Sequence, residues 1–453
     1  MRRSIYMELV STYSVRIKDF SHIFDKTAEL YRDAADFFIS VCMREWDTVS
    51  AAGSPDRMRS AVESLTVTTK ARPSVKYDFG EKFYKFPSYL RRAAIAFAVG
   101  AVSSYRTRVD TWKGSDPKTR GKRPGLPKAG RAFPVLYKGN MFVRTGTDTA
   151  KIKVFINKTW DWLEVRLRGK DVKYIARRCG GMKGLSPTLR KKGKRWHLCF
   201  PFSKKVTLGA AGTEEKTAER VLSADLGINS TCCVMEKDGT VTAREFLSLA
   251  GEYDCLYHAL GRVRKAQMHG AKHMPKLWGR VNGINRDIAI KTALSIVDMA
   301  VRHDVDVIVM EHLDLSGRKR GPKKQRLHHW RAGFVHTLVE HMAHARGIRV
   351  STVCARNTSR LAFDGSGRVL RGNESLKTGG SYSLCEFSTG KVYNCDLNAA
   401  YNIGARYLVR AYTKSLPETE RQRLEAEVPS AVKRSTCTLS TLISLCAVLH
   451  AMA

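Results

Sequence analysis

Three acidic side chains, far apart along the chain, stand where enzymes hold metal ions at the edge of a sheet. Asp225 and Glu311 each end a short apolar run typical of a strand, and Asp396 begins a segment with a helical pattern. Mg²⁺ prefers oxygen ligands, and two such ions about 3.5–4 Å apart activate a water and stabilise the leaving oxygen of a phosphodiester. We therefore predict that Asp225 bridges two Mg²⁺ ions, with Glu311 and Asp396 flanking it as the other catalytic ligands.

A single acid at a strand end is weak evidence for chemistry, because many such residues are ordinary carboxylates. Glu311 follows Asp225 by 86 residues and Asp396 follows Glu311 by 85, so no local pattern brings the three together. The alternative is three unrelated surface acids. The choice depends on whether the intervening elements build one sheet.

The segments between the acids predict an α/β sheet with parallel strand pairs. Asp238-Gly239 separates two β-rich runs, which is a strong hairpin signal. Ahead of the strand that ends in Glu311, a helical stripe is formed by Ile290, Leu294, Val297 and Val301. A second helix, with Phe334 and Leu338 on one face, and a strand over residues 348–353 follow. Strands that alternate with helices favour a sheet with parallel pairs.

The three acids lie in motifs that resemble those of a known family. Asp-Leu-Gly-Ile begins at Asp225, Met-Glu-His-Leu contains Glu311, and Asp-Leu-Asn-Ala-Ala-Tyr-Asn-Ile begins at Asp396. In this order they resemble the three RuvC motifs of the transposon-encoded TnpB nucleases and compact type V CRISPR-associated effectors. The resemblance covers about residues 221–410. It implies an RNase H-like (RuvC) nuclease domain, a guide RNA, and cleavage of DNA at one active site.

The resemblance also implies an α/β multidomain organisation. An N-terminal wedge-like β-barrel would bind guide RNA, and a helical recognition lobe would be inserted into it. The expected ranges are 1–20 and 133–220 for the barrel, 21–132 for the helical lobe, 221–353 and 396–412 for the nuclease domain, 354–395 for an insert, and 413–453 for a C-terminal tail of unknown role.

The charge of the chain points to a polyanionic partner. Its 79 Lys and Arg exceed its 42 Asp and Glu, which gives a net charge of +37. Nucleic acid is the expected partner, because phosphate contacts neutralise such an excess. A membrane surface is the weaker alternative, since the charge is spread along the whole chain and no apolar run reaches about 20 residues. Eleven irregularly spaced cysteines favour a reducing compartment, and we expect a cytoplasmic protein.

Basic residues in three places are candidates for nucleic-acid contacts. Two lie on a helical run near Tyr89, four precede an aromatic residue suited to base stacking, and six crowd a segment that follows Glu311 and suits steering of DNA. In each place, a solvated charged surface is the alternative. With one further arginine, the candidates are Arg91, Arg92, Lys191, Lys192, Lys194, Arg195, Trp196, Arg318, Lys319, Arg320, Lys323, Lys324, Arg326 and Arg360.

The chain departs from its relatives in the segment before Asp396. Many relatives carry two Cys-x-x-Cys pairs there, which form a zinc ribbon. Cys354, Cys385 and Cys395 do not have that spacing, so four thiolates are not available for a tetrahedral site. We expect an insert that replaces the ribbon and binds no zinc.

Three functions remain open at this point. The first is an RNA-guided DNA endonuclease whose partners are a guide RNA and double-stranded and single-stranded target DNA. The second is a guide-dependent DNA-binding protein that does not cut, which the three acids disfavour. The third is a transposase or resolvase that needs no RNA, which the large basic N-terminal half disfavours. The sequence does not separate a CRISPR effector from a transposon-encoded nuclease.

Overall fold

The computed structural model describes residues 5–18, 22–117, 120–208, 220–227, 230–313 and 331–452. The chain packs as two units. One comprises Val10–Lys204, and the other comprises Met1–Leu9 with Lys205–Ala453. No helix in the described ranges is both long and apolar enough to cross a membrane.

The first unit combines helices and strands around one core. Its helices are α1 (Ile23–Arg44), α2 (Trp46–Ala51), α3 (Pro55–Thr66), α4 (Phe79–Lys82), α5 (Ser88–Gly114) and α6 (Gly169–Arg178). One face of α1 lies in this core, because Phe24, Ala28, Tyr31, Ala35 and Phe38 are all buried. This core also contains strand residues such as Ile152 and Leu198. The residues expected to form a separate helical lobe therefore share a hydrophobic core with the strands.

Seven strands accompany these helices. They are β1 (Ile5–Arg16), β2 (Phe142–Arg144), β3 (Thr149–Ile156), β4 (Thr159–Arg166), β5 (Lys183–Gly184), β6 (Thr188–Lys192) and β7 (Arg195–Leu208). β7 pairs with β1, β5 and β6, whereas β2, β3 and β4 form a second sheet. One bridge, between Ile17 and Leu167, joins the ends of β1 and β4. Within the described residues these sheets do not close into a barrel, which differs from the expected wedge.

The second unit is built on a mixed five-stranded sheet. Its strands are β8 (Val221–Asp225), β9 (Ser230–Met235), β10 (Val241–Leu247), β11 (Val307–His312) and β12 (Arg349–Cys354), in the spatial order β10-β9-β8-β11-β12. β8, β9 and β10 pair antiparallel, and β11 is parallel to both β8 and β12. Gly239, with φ of +95°, makes the expected turn between β9 and β10. The predicted α/β sheet with parallel pairs is confirmed.

Helices cover both faces of this sheet. They are α7 (Ala250–Met268), α8 (Pro275–Arg302), α9 (Ala332–His344), α10 (Cys395–Ser415), α11 (Glu418–Glu427) and α12 (Leu439–Met452). Successive strand residues point to opposite faces. Val221 accordingly packs with α10 and α12, while its neighbour Leu222 packs with α8 and α9.

The buried face of α8 differs from the predicted stripe. Val297 is buried, but Leu294 and Val301 are exposed to solvent. The buried face combines alanines, such as Ala289 and Ala293, with the larger Ile296 and Met299. Because alanine contributes little to an apolar stripe, this face is less evident in the sequence.

Residues after Cys354 form a compact insert. Strands β13 (Leu370–Arg371), β14 (Leu384–Glu386) and β15 (Val392–Asn394) make a small antiparallel sheet. Its core contains Phe387 and Cys385, with Phe363 and Tyr393 packed against them. The insert is therefore packed around an apolar core of its own.

The C-terminal residues are part of the same unit. Leu442 and Leu445 of α12 are fully buried and belong to the core that α10 forms with the sheet. Residues 439–452 are thus a packed helix of this unit.

Candidate active site

The register of the sheet places Asp225 beside Glu311. β8 and β11 pair in parallel with Val307 opposite Val221 and Met310 opposite Ala224. One further step along both strands sets Glu311 opposite Asp225. Adjacent strands lie about 4.7–4.9 Å apart, and paired residues project from the same face. Both acids therefore project from the face that α10 covers.

Asp396 reaches this face from the first turn of α10. Asn394 caps the helix, and its side-chain oxygen accepts hydrogen bonds from the backbone N–H of Asp396 at 3.0 Å and of Leu397 at 2.9 Å. The helix dipole favours a carboxylate at this position. α10 lies close to the sheet at Gly404, where a β-carbon would stand 3.3 Å from Oγ of Ser223.

The three carboxyl groups act on one another. Burial, followed by the negative charges of Glu311 and Asp396, raises the pKa of Asp225 well above its usual range. Burial also raises the pKa of Glu311 and the pKa of Asp396. Like charges that share a partly buried site oppose their joint ionisation. The fold therefore brings the three predicted acids into one electrostatically coupled group.

Two neighbours hold Glu311 in place. The Thr358 hydroxyl donates a hydrogen bond to Oε1 of Glu311. This bond, and the nearby Arg406 guanidinium, lower the pKa of the carboxyl against the effect of burial. The glutamate is thus buried with a donor and a positive charge nearby.

The charge of Arg371 acts on the other two acids, Asp225 and Asp396. Its positive charge lowers the pKa of Asp225 and of Asp396, both of which burial raises. It also donates a hydrogen bond to Sγ of Cys395 at 3.3 Å. A hydrogen bond with Cys385, together with Arg371, lowers the pKa of the Cys395 thiol to about 6.

The donor set fits a hard divalent cation. Carboxylates are pure acceptors when ionised, and the repulsion among these three is what a cation offsets. The Thr231 hydroxyl, opposite Asp225 on β9, is buried without a hydrogen-bond partner within the described part of the chain. Among the same described residues, no three His, Cys, Asp or Glu side chains are positioned closely enough to hold a metal ion. Repulsion between unneutralised carboxylates is a physical reason for such spreading.

Further residues around the site were not identified from the sequence. Asn398 accepts a hydrogen bond from the backbone N–H of Phe363 at 2.8 Å, and Asn402 donates to the carbonyls of Thr358 and Leu361, each at 2.9 Å. One helical turn later, Arg406 donates to the carbonyls of Cys354 at 2.6 Å, Arg356 at 2.8 Å, Ser435 at 3.0 Å and Cys437 at 3.1 Å. The sequence does contain a signal for these three residues, because they are polar and lie four positions apart in an otherwise apolar helix. They hold the backbone on which Thr358 stands.

Several candidate nucleic-acid contacts are engaged within the protein. Arg92 pairs with Glu63 at 3.3 Å, and Lys191 pairs with Asp25 at 2.6 Å. Lys192 donates to the Ser14 hydroxyl at 2.6 Å, Arg360 pairs with Glu374 at 3.2 Å, and Arg91 is half-buried. By contrast, Lys194 and Arg195 are exposed at the tip of the β6–β7 hairpin.

The stacking role expected for Trp196 is not compatible with its position. Its side chain is 2% exposed, and its ring packs edge-on against Phe24 with the centroids 5.6 Å apart. A nucleobase cannot reach a ring in the core, so Trp196 is a structural residue. The basic candidates Arg318, Lys319, Arg320, Lys323, Lys324 and Arg326 lie outside the described residues.

Comparison with known proteins shows similarity over part of the chain. Residues 11–156 match the Aq_aa04 family. The TnpB-like protein aq_aa05 of Aquifex aeolicus (strain VF5) is 29% identical over 143 residues, which are 29% of this chain and 44% of that protein. The match therefore spans less than half of this curated relative.

Solved structures give more distant likenesses. A Cas12f1–sgRNA–target DNA complex is 14% identical with a TM-score of 0.33, covering 87% of this chain and 99% of that one. CasPhi-2 (Cas12j) bound to crRNA and phosphorothioate-DNA is 10% identical with a TM-score of 0.41, covering 88% and 91%. The curated match agrees with the resemblance of the three motifs: over these 143 residues the chain is similar to a TnpB-like protein.

Proposed function

We propose that this protein is an RNA-guided DNA endonuclease with a single RuvC active site. The observation that carries the proposal is the placement of the three acids: Asp225 ends β8, Glu311 lies on the parallel neighbour β11, and Asp396 is in the first turn of α10, which covers that face of the sheet. In addition, the negative charges of Glu311 and Asp396 raise the pKa of Asp225, and strongly perturbed carboxylates are typical of functional sites. Three unrelated surface acids would have no reason to lie on two adjacent strands and on the helix packed over them.

Asp225, Glu311 and Asp396 are the residues that would hold two Mg²⁺ ions. When bound, such ions supply an activated water and stabilise the leaving oxygen of the phosphodiester. The protein itself contributes orientation. Thr358 fixes the carboxyl of Glu311, and Asn394 fixes the start of the helix that carries Asp396. Arg371 lies near two of the acids, where its charge favours their ionised forms.

The guide RNA and the target DNA are proposed partners. The net charge of +37 requires a polyanion for neutralisation, and the motifs are those of guided nucleases. Lys194 and Arg195 offer exposed charge on the N-terminal unit. We assign base pairing to the guide and phosphate contacts to the protein. The wedge, recognition and nuclease ranges expected from the sequence remain part of this proposal.

The decisive experiment separates cutting from binding. Asp225→Ala, Glu311→Ala and Asp396→Ala are each expected to abolish cleavage of both DNA strands in Mg²⁺, because residues that act as one unit fail together. Guided DNA binding, measured by gel shift, should stay within about twofold of the original protein, since phosphate contacts elsewhere are unchanged.

The matched control is Asp298→Asn on α8, an exposed acid in the same unit. This variant should cut at the normal rate. If Asp225→Ala still cuts, the site is wrongly assigned. If the unaltered protein binds guided DNA and never cuts it, the non-cutting alternative holds. Cleavage without any RNA would favour a resolvase.

Thr358 offers a test of positioning. Thr358→Val removes the hydroxyl that bonds Glu311 while keeping the shape of the side chain. Loss of such a supporting hydrogen bond typically costs about 10- to 100-fold in activity or metal affinity. Thr358→Ser restores a hydroxyl and should recover most of the rate. If Thr358 had a purely structural role, the Thr358→Val and Thr358→Ser variants would instead cut DNA at similar rates.

A further inference from the structure

A cavity opens next to the candidate active site in the second unit. It has a volume of about 880 Å³, and its wall includes Leu226 and Gly227, the two residues that follow Asp225. Two residues of chain span about 7 Å at most, so the cavity begins within that distance of the acid along the backbone. Its size falls in the range of small-molecule sites. The three acids themselves do not line it.

One wall of the cavity carries a polar side chain among apolar ones. Asn285 of α8 is 6% exposed and lines the cavity beside Ile288 and Ala289. Its amide makes no hydrogen bond to any other described residue and is not one of the fully buried polar groups, so it is open to the cavity and can bind a group there. The amide offers one donor and one acceptor side by side.

The rest of the lining supplies a stacking surface and positive charge. Tyr257 of α7 lines the cavity and is 71% exposed, so that one face of its ring is accessible. The charged lining residues are four cations and one acid, namely Arg262, Arg264, Lys265, Arg331 and Asp254. An aromatic ring, an unpaired amide and a cationic rim together match a nucleotide.

We propose that the cavity receives one unpaired nucleobase of the DNA strand held at Asp225. The base stacks on Tyr257 and hydrogen-bonds Asn285, while the cationic rim meets the flanking phosphates. An asparagine amide matches the edge of adenine with two hydrogen bonds, so adenine is the preferred base. This inference rests on the proposed function and adds a base preference at one position beside the cut.

A binding experiment without divalent ions tests the cavity apart from cleavage. Single-stranded oligothymidine with one 8-vinyladenine, a fluorescent adenine analogue that keeps the 6-amino group and N7, is titrated with the protein in EDTA. Stacking should quench the probe on binding. Tyr257→Ala and Asn285→Leu should each weaken the quenched complex by about tenfold, as expected for loss of one base contact. Tyr84→Ala, which removes an exposed tyrosine of the other unit, should bind like the original protein.

Thermal unfolding distinguishes a ligand group from a structural one. Because Asn285 lacks a partner, Asn285→Leu should keep or raise the melting temperature while binding falls. A lowered melting temperature with Asn285→Leu, or undiminished quenching by both variants, would overturn the proposal. An oligonucleotide with an abasic site in place of 8-vinyladenine, used as an unlabelled competitor, should bind about tenfold more weakly than one with adenine at that position. If the acid variants still cut DNA while the quenching results hold, the nuclease assignment fails and the cavity assignment stands.

Discussion

The carboxyl of Asp225 is held between two other acids at a point where burial already disfavours its charge. The repulsion raises its pKa, and this is a local cost that the folded protein bears whenever no cation is bound. Active sites commonly retain such costs because the strained arrangement is the functional one. Stability measurements on the metal-free protein can therefore detect the site without any substrate.

We predict that Asp225→Asn raises the melting temperature in EDTA by a few degrees. The change removes one negative charge from a group of three while keeping the size of the side chain. Adding Mg²⁺ should stabilise the original protein more than the variant, since ligand binding to the folded state raises stability. Differential scanning calorimetry measures both effects. Asp298→Asn, an exposed acid, should change neither, and equal responses of the two variants would contradict the assignment.

At the scale of elements, α10 determines the site. Its first turn presents Asp396, and its following turns hold the backbone around Thr358 through Asn398, Asn402 and Arg406. The same helix forms a core with α12, which begins at Leu439. The backbone N–H of Leu439 donates to Asn402 at 3.3 Å. The C-terminal helix is therefore linked to the segment that orients Glu311.

A pair of neighbouring substitutions tests the packing of α12. Leu442→Ala removes a fully buried side chain and should cost about 2–5 kcal/mol in the free energy of unfolding. Ile443→Ala, one residue later and 53% exposed, should cost less than about 1 kcal/mol. Urea denaturation followed by circular dichroism measures the difference. Equal costs would mean that residues 439–452 are not packed in this way.

The insert before α10 leads to a prediction about metal content. Cys385 lies in a small apolar core with Phe387, and the chain lacks the two Cys-x-x-Cys pairs of a ribbon. We expect less than about one zinc per ten chains after dialysis, because four tetrahedral thiolates are needed for a closed site. Elemental analysis of the purified protein measures this. One zinc per chain would show that another ligand set operates.

For the whole molecule, charge is the dominant property. A net charge of +37 predicts that the protein purifies with bound RNA at low salt. Affinity for RNA should fall linearly on a plot of log K against log salt, with a slope of about −0.7 for each phosphate neutralised on a single strand. Nuclease-treated samples and filter binding at several salt concentrations measure both. If the ratio of nucleic-acid to protein absorbance after low-salt purification were that of protein alone, the prediction of bound RNA would be wrong.

Lys194 and Arg195 should contribute to that slope, and Trp196 should not. The two cations are exposed at a hairpin tip, whereas the tryptophan lies in the core. Replacing both cations with alanine should make the salt slope shallower by one to two units. Trp196→Ala is expected to unfold the first unit before any effect on binding can be read.

The local sequence was sufficient for the strands, the hairpin at Asp238-Gly239 and the acids of the three motifs. Strand and turn patterns depend on residues only a few positions apart, and these signals are strong in the nuclease half. The acids could be named because each ends or begins a clear element. The proximity of Asp225 and Glu311 was only an expectation until β8 and β11 were found to pair in parallel, with Met310 opposite Ala224, one residue before each acid.

The positions that were misjudged all depend on contacts between distant parts of the chain. Trp196 beside four basic residues is typical of a nucleic-acid contact, yet Phe24, far away in sequence, encloses it. Leu294 suggests a core stripe on α8, but the buried face runs through Ala289, Ala293 and Ile296 instead. The packing of residues 439–452 was not expected, because their partner, α10, lies outside any local window. Burial and partner choice are set by tertiary packing, which a pattern of neighbouring residues does not contain.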